Sequence, residues 1–164
     1  MKIALGSDRR GMDYKNRLKG FLQAHGYETV DCGTNMDKPV DYPIYAQRVG
    51  KLVASKECDF GVVVCATGIG ICMAANKVEG IRCGIAYTDD VARLMREHND
   101  ANVICFGQNH MEYADCERRL GIFLGAAFAG DYHNIRIKQM GVLDKCGGGY
   151  LSTEFPEDFP VEQA

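Results

Sequence analysis

A three-layer α/β/α sandwich around a five-stranded parallel sheet, Rossmann-like, is the fold class this sequence predicts. Three observations lead there. Short apolar runs alternate with longer amphipathic stretches. Several of the short runs are apolar throughout, the pattern of strands buried on both faces of a parallel sheet. Glycines fall where one kind of segment gives way to the other. Five βα units in succession then make a sheet covered by helices on both sides.

The first strand covers residues 2–5. The helix after it covers about 12–25, where Tyr14, Leu18, Phe21 and Leu22 recur at spacings of three and four and form one apolar face. Gly26 follows, and the second strand runs over 28–32. Asp41 then places an acceptor just before Pro43, which suits the first turn of a helix over 42–56. Gly50 falls inside that helix or marks a turn, at a modest cost in propensity if helical. The third strand, 60–65, carries Val62, Val63 and Val64 and leads into a helix over 69–77. A fourth strand at 81–86 precedes a helix over 88–97, and a fifth at 102–106 precedes one over 111–125. Asp131 stands as the N-cap of a last helix from 132 to about 140. The order of the strands is open, but ligands of such sheets bind beyond the strands' carboxyl ends.

The 164 residues, 46% hydrophobic and 25% charged, suffice for one domain over 1–146 with a C-terminal tail over 147–164. That tail combines three consecutive glycines with Tyr150, Leu151, Phe155 and Phe159, which suits either disorder or docking along a subunit surface. A net charge of −3 argues against nucleic acid or a membrane surface as partner and leaves room for a small cationic pocket. No apolar run approaches the roughly 18 residues of a membrane span. The N-terminus enters a strand pattern at once, without space for a signal peptide, so the cytoplasm is the expected location. Cysteines stand at 32, 58, 65, 72, 83, 105, 116 and 146, with no CxxC pair and no zinc-like spacing to the four histidines. Seven read as free core thiols. Cys65 is the exception.

Val62-Val63-Val64-Cys65-Ala66-Thr67-Gly68-Ile69-Gly70 is a strand, a glycine-bearing loop and a helix start. Backbone N–H groups converge in such a loop, and a thiol beside a helix N-terminus can serve as base or nucleophile. The alternative is that Cys65 simply ends a buried strand. Neither GxGxxG nor a P-loop lysine is present, so a nucleotide site is weakly supported. Gly6-Ser7-Asp8-Arg9-Arg10-Gly11 repeats the geometry after the first strand, with Asp8 either in the site or capping the first helix and Arg10 as well suited to solvent as to substrate. A third polar cluster, Arg96-Glu97-His98-Asn99-Asp100-Ala101-Asn102, includes a histidine able to move protons near neutral pH. It precedes a strand and therefore sits at the sheet's amino edge, away from Cys65. Reaching a site at Cys65 takes a partner chain or a fold back across the sheet, which favours a dimer.

Ser7-Asp8, Asp41-Tyr42-Pro43, Cys65-Ala66-Thr67-Gly68-Ile69-Gly70, the run 74–82 and His98-Asn99-Asp100-Ala101-Asn102-Val103 occur in this order. In this the chain resembles the B-type ribose-5-phosphate isomerases, a group that includes galactose-6-phosphate isomerase subunits, over about residues 1–140. The resemblance implies an aldose–ketose isomerase of sugar phosphates in pentose phosphate metabolism, working without metal or other cofactor. It implies Cys65 as the base between C1 and C2, with Thr67 and the amides of Ala66, Gly68, Ile69 and Gly70 on the enediolate oxygens. His98, from the neighbouring subunit of a homodimer or a tetramer of dimers, would open the sugar ring. Asp8 would sit at the sugar end and Asn99 beside the developing oxyanion.

Four departures lie mostly at the phosphate end. Arg9 stands where the family has His, Asn109 and Tyr132 where it has Arg, and Ala66 where Gly is common. His133 and Arg136 remain. Arg9 and Arg136 would then hold the phosphate, since two guanidiniums match a phosphate dianion. The alternatives are a C4 or C6 sugar phosphate such as galactose 6-phosphate, an unphosphorylated sugar, or a non-catalytic sugar-phosphate-binding subunit.

Overall fold

A computed structural model of the chain describes residues 1–145. Its elements are β1 (Lys2–Ser7), α1 (Met12–Ala24), β2 (Glu28–Asp31), α2 (Tyr42–Ala54), β3 (Phe60–Cys65) and α3 (Ile69–Ala75). They continue as β4 (Cys83–Ile85), α4 (Asp89–Glu97), β5 (Val103–Gly107), α5 (Tyr113–Gly125) and α6 (His133–Leu143). Each strand and helix expected from the sequence is present. A short 3-10 turn at Arg9–Gly11 leads into α1.

The sheet is parallel throughout, in the order β2-β1-β3-β5-β4. Side chains alternate along each strand and so feed two cores. Val62 and Val64 face α1, α4 and α5 with Leu18, Leu22, Met95, Leu120 and Phe123. Val63 and Cys65 face α2 and α3 with Ala46, Val49, Val53, Ile71 and Ala75. Each large side chain so buried contributes about 1.5–3 kcal/mol. From β1 the chain winds outward to β2, then returns and winds the other way from β3. The carboxyl ends of β1 and β3 therefore border the switch-point crevice where ligands of open α/β sheets bind.

Several local expectations are corrected. Asp131 is not a capping side chain. It adopts a left-handed φ of 47°, its carbonyl accepts from the Asn134 amide at 3.1 Å, and α6 starts after Tyr132 without a side-chain cap. Asp41 occupies the N-cap of α2 but makes no capping bond, leaving Pro43 to set the first turn. Thr88, unremarked in the sequence, does cap α4, its Oγ1 accepting from the Val91 N–H at 3.1 Å. The fourth strand is shorter than expected, with Ile81 and Ala86 buried just outside its ends. Gly50 lies inside α2. The seven described cysteines are free and sit in or against the two cores, Cys65 included; Cys146 and the tail aromatics lie outside the described residues. Among the described residues no helix is long and apolar enough to cross a membrane.

Candidate active site

The candidate site begins at the carboxyl rim, where Cys65 ends β3 only 5% exposed. The Gly68 N–H donates to its Sγ at 3.2 Å. Gly68 reaches this position with a φ of +81°, a left-handed conformation that strains any residue with a Cβ. The loop is pinned to the end of β5, where the Gln108 and Asn109 N–H groups donate to the Cys65 and Ala66 carbonyls, each at 2.9 Å. Thr67 is exposed, and its Oγ1 accepts from the Ile69 N–H at 3.2 Å. The Tyr42 ring lies against Gly70, where a Cβ would stand 2.7 Å from the ring's Cζ.

Asp8 joins the same rim because the 3-10 turn after it packs on the end of β3. A Cβ on Gly11 would lie 2.3 Å from the Val64 carbonyl oxygen, so only glycine permits that approach. The Asp8 carboxylate accepts from the Gly11 N–H at 3.0 Å and caps the turn, the alternative the sequence left open. Burial raises its affinity for a proton and outweighs the Gly11 and Arg10 N–H groups and the Arg10 charge, which act the other way. Next to it Arg9, Arg10, Asp37, Gln108 and Asn109 line an open hollow of about 450 Å³. Arg9 is not an unopposed cation there: its Nε is paired with the Asp37 carboxylate. Both partners are exposed, where such a pair is worth little and exchanges readily.

The other expected residues gather at the opposite rim. His98 caps the end of α4, and its ring stacks on His133 with centroids 4.3 Å apart. The Tyr132 ring lies 4.1 Å from that of His133, and the Arg136 guanidinium stands 4.9 Å from the Tyr132 centroid. Asp100, at a left-handed φ of 44°, bridges Arg82 at 2.7 Å and Arg96 at 2.8 Å. Arg82 Nε also donates to the Asn99 and Asp100 carbonyls at 3.2 and 2.8 Å, so the exposed Asn99 is carried on a clamped loop. Arg96 is buried, its guanidinium 4.8 Å from the Phe60 ring centroid.

The candidate residues thus fall in two groups: Asp8, Arg9, Ala66 to Gly70 and Asn109 on one rim, His98, Asn99, Tyr132, His133 and Arg136 on the other. They are not brought together within the chain. β5 alone, starting at Val103 near His98 and ending at Gly107 beside Cys65, separates them by about 13 Å at 3.3 Å per residue. Asp37 and the Arg82–Asp100–Arg96 clamp carry no signal in the sequence, and Tyr42 stands out there only within the run Asp41-Tyr42-Pro43. The glycine four residues after Ser7 was the one available signal for the Asp8 turn. Among the described residues no group of three or more His, Cys, Asp or Glu side chains is placed to hold a metal ion.

The rim at Cys65 can do two things chemically. Partial positive charge from the Gly68 N–H lies on the sulfur, and a glycine-bearing loop before a helix is the kind of backbone that offers N–H groups to a small oxyanion. Comparison with known proteins identifies relatives of the chain. A family model described as Ribose/Galactose Isomerase matches residues 3–140. The chain is 36% identical over 144 residues to ribose-5-phosphate isomerase B of Escherichia coli, covering 88% of this chain and 97% of that one. It is 35% identical over 128 residues to the galactose-6-phosphate isomerase subunit LacB of Clostridium acetobutylicum, covering 78% of this chain and 74% of the relative. Among solved structures, ribose-5-phosphate isomerase B of Clostridium thermocellum superposes with a TM-score of 0.87 at 41% identity, over 88% of this chain and 98% of the other.

Proposed function

The chain belongs to the ribose/galactose isomerase family, and on that premise we propose that it interconverts ribose 5-phosphate and ribulose 5-phosphate through an enediolate. The observation that carries the assignment is the Cys65 sulfur held under the Gly68 N–H at the switch-point crevice. Cys65 removes the C2 proton of the open-chain aldose and returns it to C1, while a hydroxyl proton passes from O2 to O1. The amides of residues 66–70 and the Thr67 hydroxyl stabilise the enediolate, which carries more charge than the ground state and so gains more from fixed donors.

The working unit in this proposal is a homodimer of cytoplasmic chains, its isomerase domain spanning residues 1–146. The separation of the two rims supports it, since His98 and Arg136 of one copy can complete the Cys65 rim of another. There His98 protonates the ring oxygen, Asp8 and Asn99 orient the sugar, and Arg136 with Arg9 meets the phosphate. The Arg9–Asp37 pair favours a second reading, a C4 or C6 sugar phosphate or an unphosphorylated sugar, because it draws one guanidinium aside.

Mixing a Cys65→Ala chain with a His98→Ala chain, each inactive alone, tests the shared site. Recovery of ribose 5-phosphate turnover in the mixed dimer is expected, because one of its two sites is intact. No recovery despite demonstrated subunit exchange would place both groups in one chain. A coupled assay across C4 to C6 sugars, with and without phosphate, separates the two substrate readings.

A further inference from the structure

Gly68 is held from both sides. Its N–H donates to the Cys65 sulfur at 3.2 Å, and its carbonyl accepts from the Cys105 thiol at 3.0 Å. The Cys72 N–H closes the first turn of α3 on the same carbonyl at 3.1 Å. Cys105 lies in the middle of β5, fully buried, in the same core as Cys65. Residue 68 has no side chain to fix it, and its left-handed backbone belongs to the region glycine visits freely. The Cys105 bond, with the Cys72 N–H, holds the Gly68–Ile69 peptide, and so restrains across the Gly68 Cα the Thr67–Gly68 peptide whose N–H meets the sulfur.

We infer that Cys105 is a positioning residue for the isomerisation: its S–H, donated to the Gly68 carbonyl, keeps the Gly68 N–H on the Cys65 sulfur. This rests on the reading of Cys65 as the base. Burial pushes the Cys105 thiol well above the ordinary range, so it stays protonated and remains a donor throughout the working pH range. Cys72 and Cys83 pack against the same core, and one thiol proton serves one acceptor at a time. The proposal commits to Gly68.

Four single variants test it. Cys105→Ala and Cys105→Val both remove the donor, one leaving space and the other filling it, while Cys105→Ser keeps a donor on a similar framework. Cys72→Ala removes the competing sulfur. Two quantities are read in each: kcat and KM, and the rate of Cys65 alkylation by iodoacetamide, followed by peptide mass at Cys65. Loss of one hydrogen bond predicts kcat lower by about 3- to 10-fold with KM within twofold for the Ala and Val variants. Cys65 alkylation should slow several-fold in the same two variants. Cys105→Ser and Cys72→Ala should remain within about twofold of wild type in both quantities. Equal losses in all three Cys105 variants would reduce the residue to packing and overturn the inference. So would an unchanged alkylation rate, or a Cys72→Ala variant that reproduces the loss. If wild type turns over none of the sugars yet alkylation follows the expected pattern, the assigned reaction fails while the Cys105–Gly68 link stands.

Discussion

The two rims of the sheet are built by different means. At the carboxyl rim the backbone does most of the positioning: the Gly68 N–H on Cys65, the Gly11 N–H on Asp8, and the Gln108 and Asn109 N–H groups on the loop carbonyls. At the amino rim side chains do it, through the Asp100 bridge between two arginines and the stack of His98, His133 and Tyr132. A backbone-built site is sensitive to any added Cβ and indifferent to most exposed side chains. A site built on ion pairs and stacked rings responds to charge removal instead. In the proposed reaction this would divide the labour, one rim holding a small anionic intermediate in fixed geometry and the other supplying titratable and cationic groups.

The largest effect should come from the one side chain on the carboxyl rim that the backbone cannot replace. Cys65→Ala is expected to lower kcat by about 10²–10⁴-fold, the usual worth of a positioned base, with substrate affinity within a few-fold by titration. Retention of more than a tenth of the rate would falsify its assignment as the base.

The buried ion pair beside this rim gives the next effect. Lys15 is fully buried and donates to Asp31 at 2.6 Å and Asn35 at 2.9 Å, while Lys19 meets the second Asp31 oxygen at 3.0 Å. Lys15→Met leaves Asp31 half-served and should cost about 3 kcal/mol in urea unfolding, the low end for a broken buried pair. The same pair sets an acid limb. Burial raises the Asp31 carboxyl, but the hydrogen bonds and charges of Lys15 and Lys19 outweigh it and leave it below the usual carboxylate range. A depressed folded value contributes stability above the unfolded value, near 3.9, that is lost as pH falls through the folded one. Wild-type unfolding free energy should thus decline below about pH 4, and Lys15→Met should show a shallower decline; identical acid limbs would remove Asp31 as the source.

At the amino rim Asp100→Ala tests the side-chain clamp. Two charged hydrogen bonds disappear and the left-handed residue is strained, so stability should fall by at least about 1.5–3 kcal/mol. In the mixed-dimer assay this variant should complement poorly when it must supply His98 and normally when it must supply Cys65. Equal performance in both roles would erase the proposed asymmetry between the rims.

The smallest effect concerns the exposed Arg9–Asp37 pair. Arg9→Ala should change stability by no more than about 1 kcal/mol. It should weaken a phosphorylated substrate by roughly 10-fold or more if Arg9 leaves Asp37 for the phosphate. Asp37→Ala should then strengthen phosphate binding, because the competing carboxylate is gone; no change in either variant would leave Arg136 and Arg10 as the cations to examine.

The sequence by itself determined the class of fold and the identity of the elements, because strand and helix periods are written in which residues are apolar. It also placed Cys65 at a strand end before a glycine loop, and His98 at the opposite edge, since position relative to a strand needs no knowledge of the neighbours. Tertiary structure decided the rest. The order β2-β1-β3-β5-β4, and with it the crevice between β1 and β3, depends on contacts between residues far apart in the chain. So do the pairing of Arg9 with Asp37, the stack of His98 on His133 and the bond from Cys105 to Gly68. Local composition could not reveal that Asp131 would lose its capping role, because the backbone is left-handed at that residue and the helix begins only after Tyr132. Periodicity is a property of neighbours along the chain, whereas a site is a property of neighbours in space.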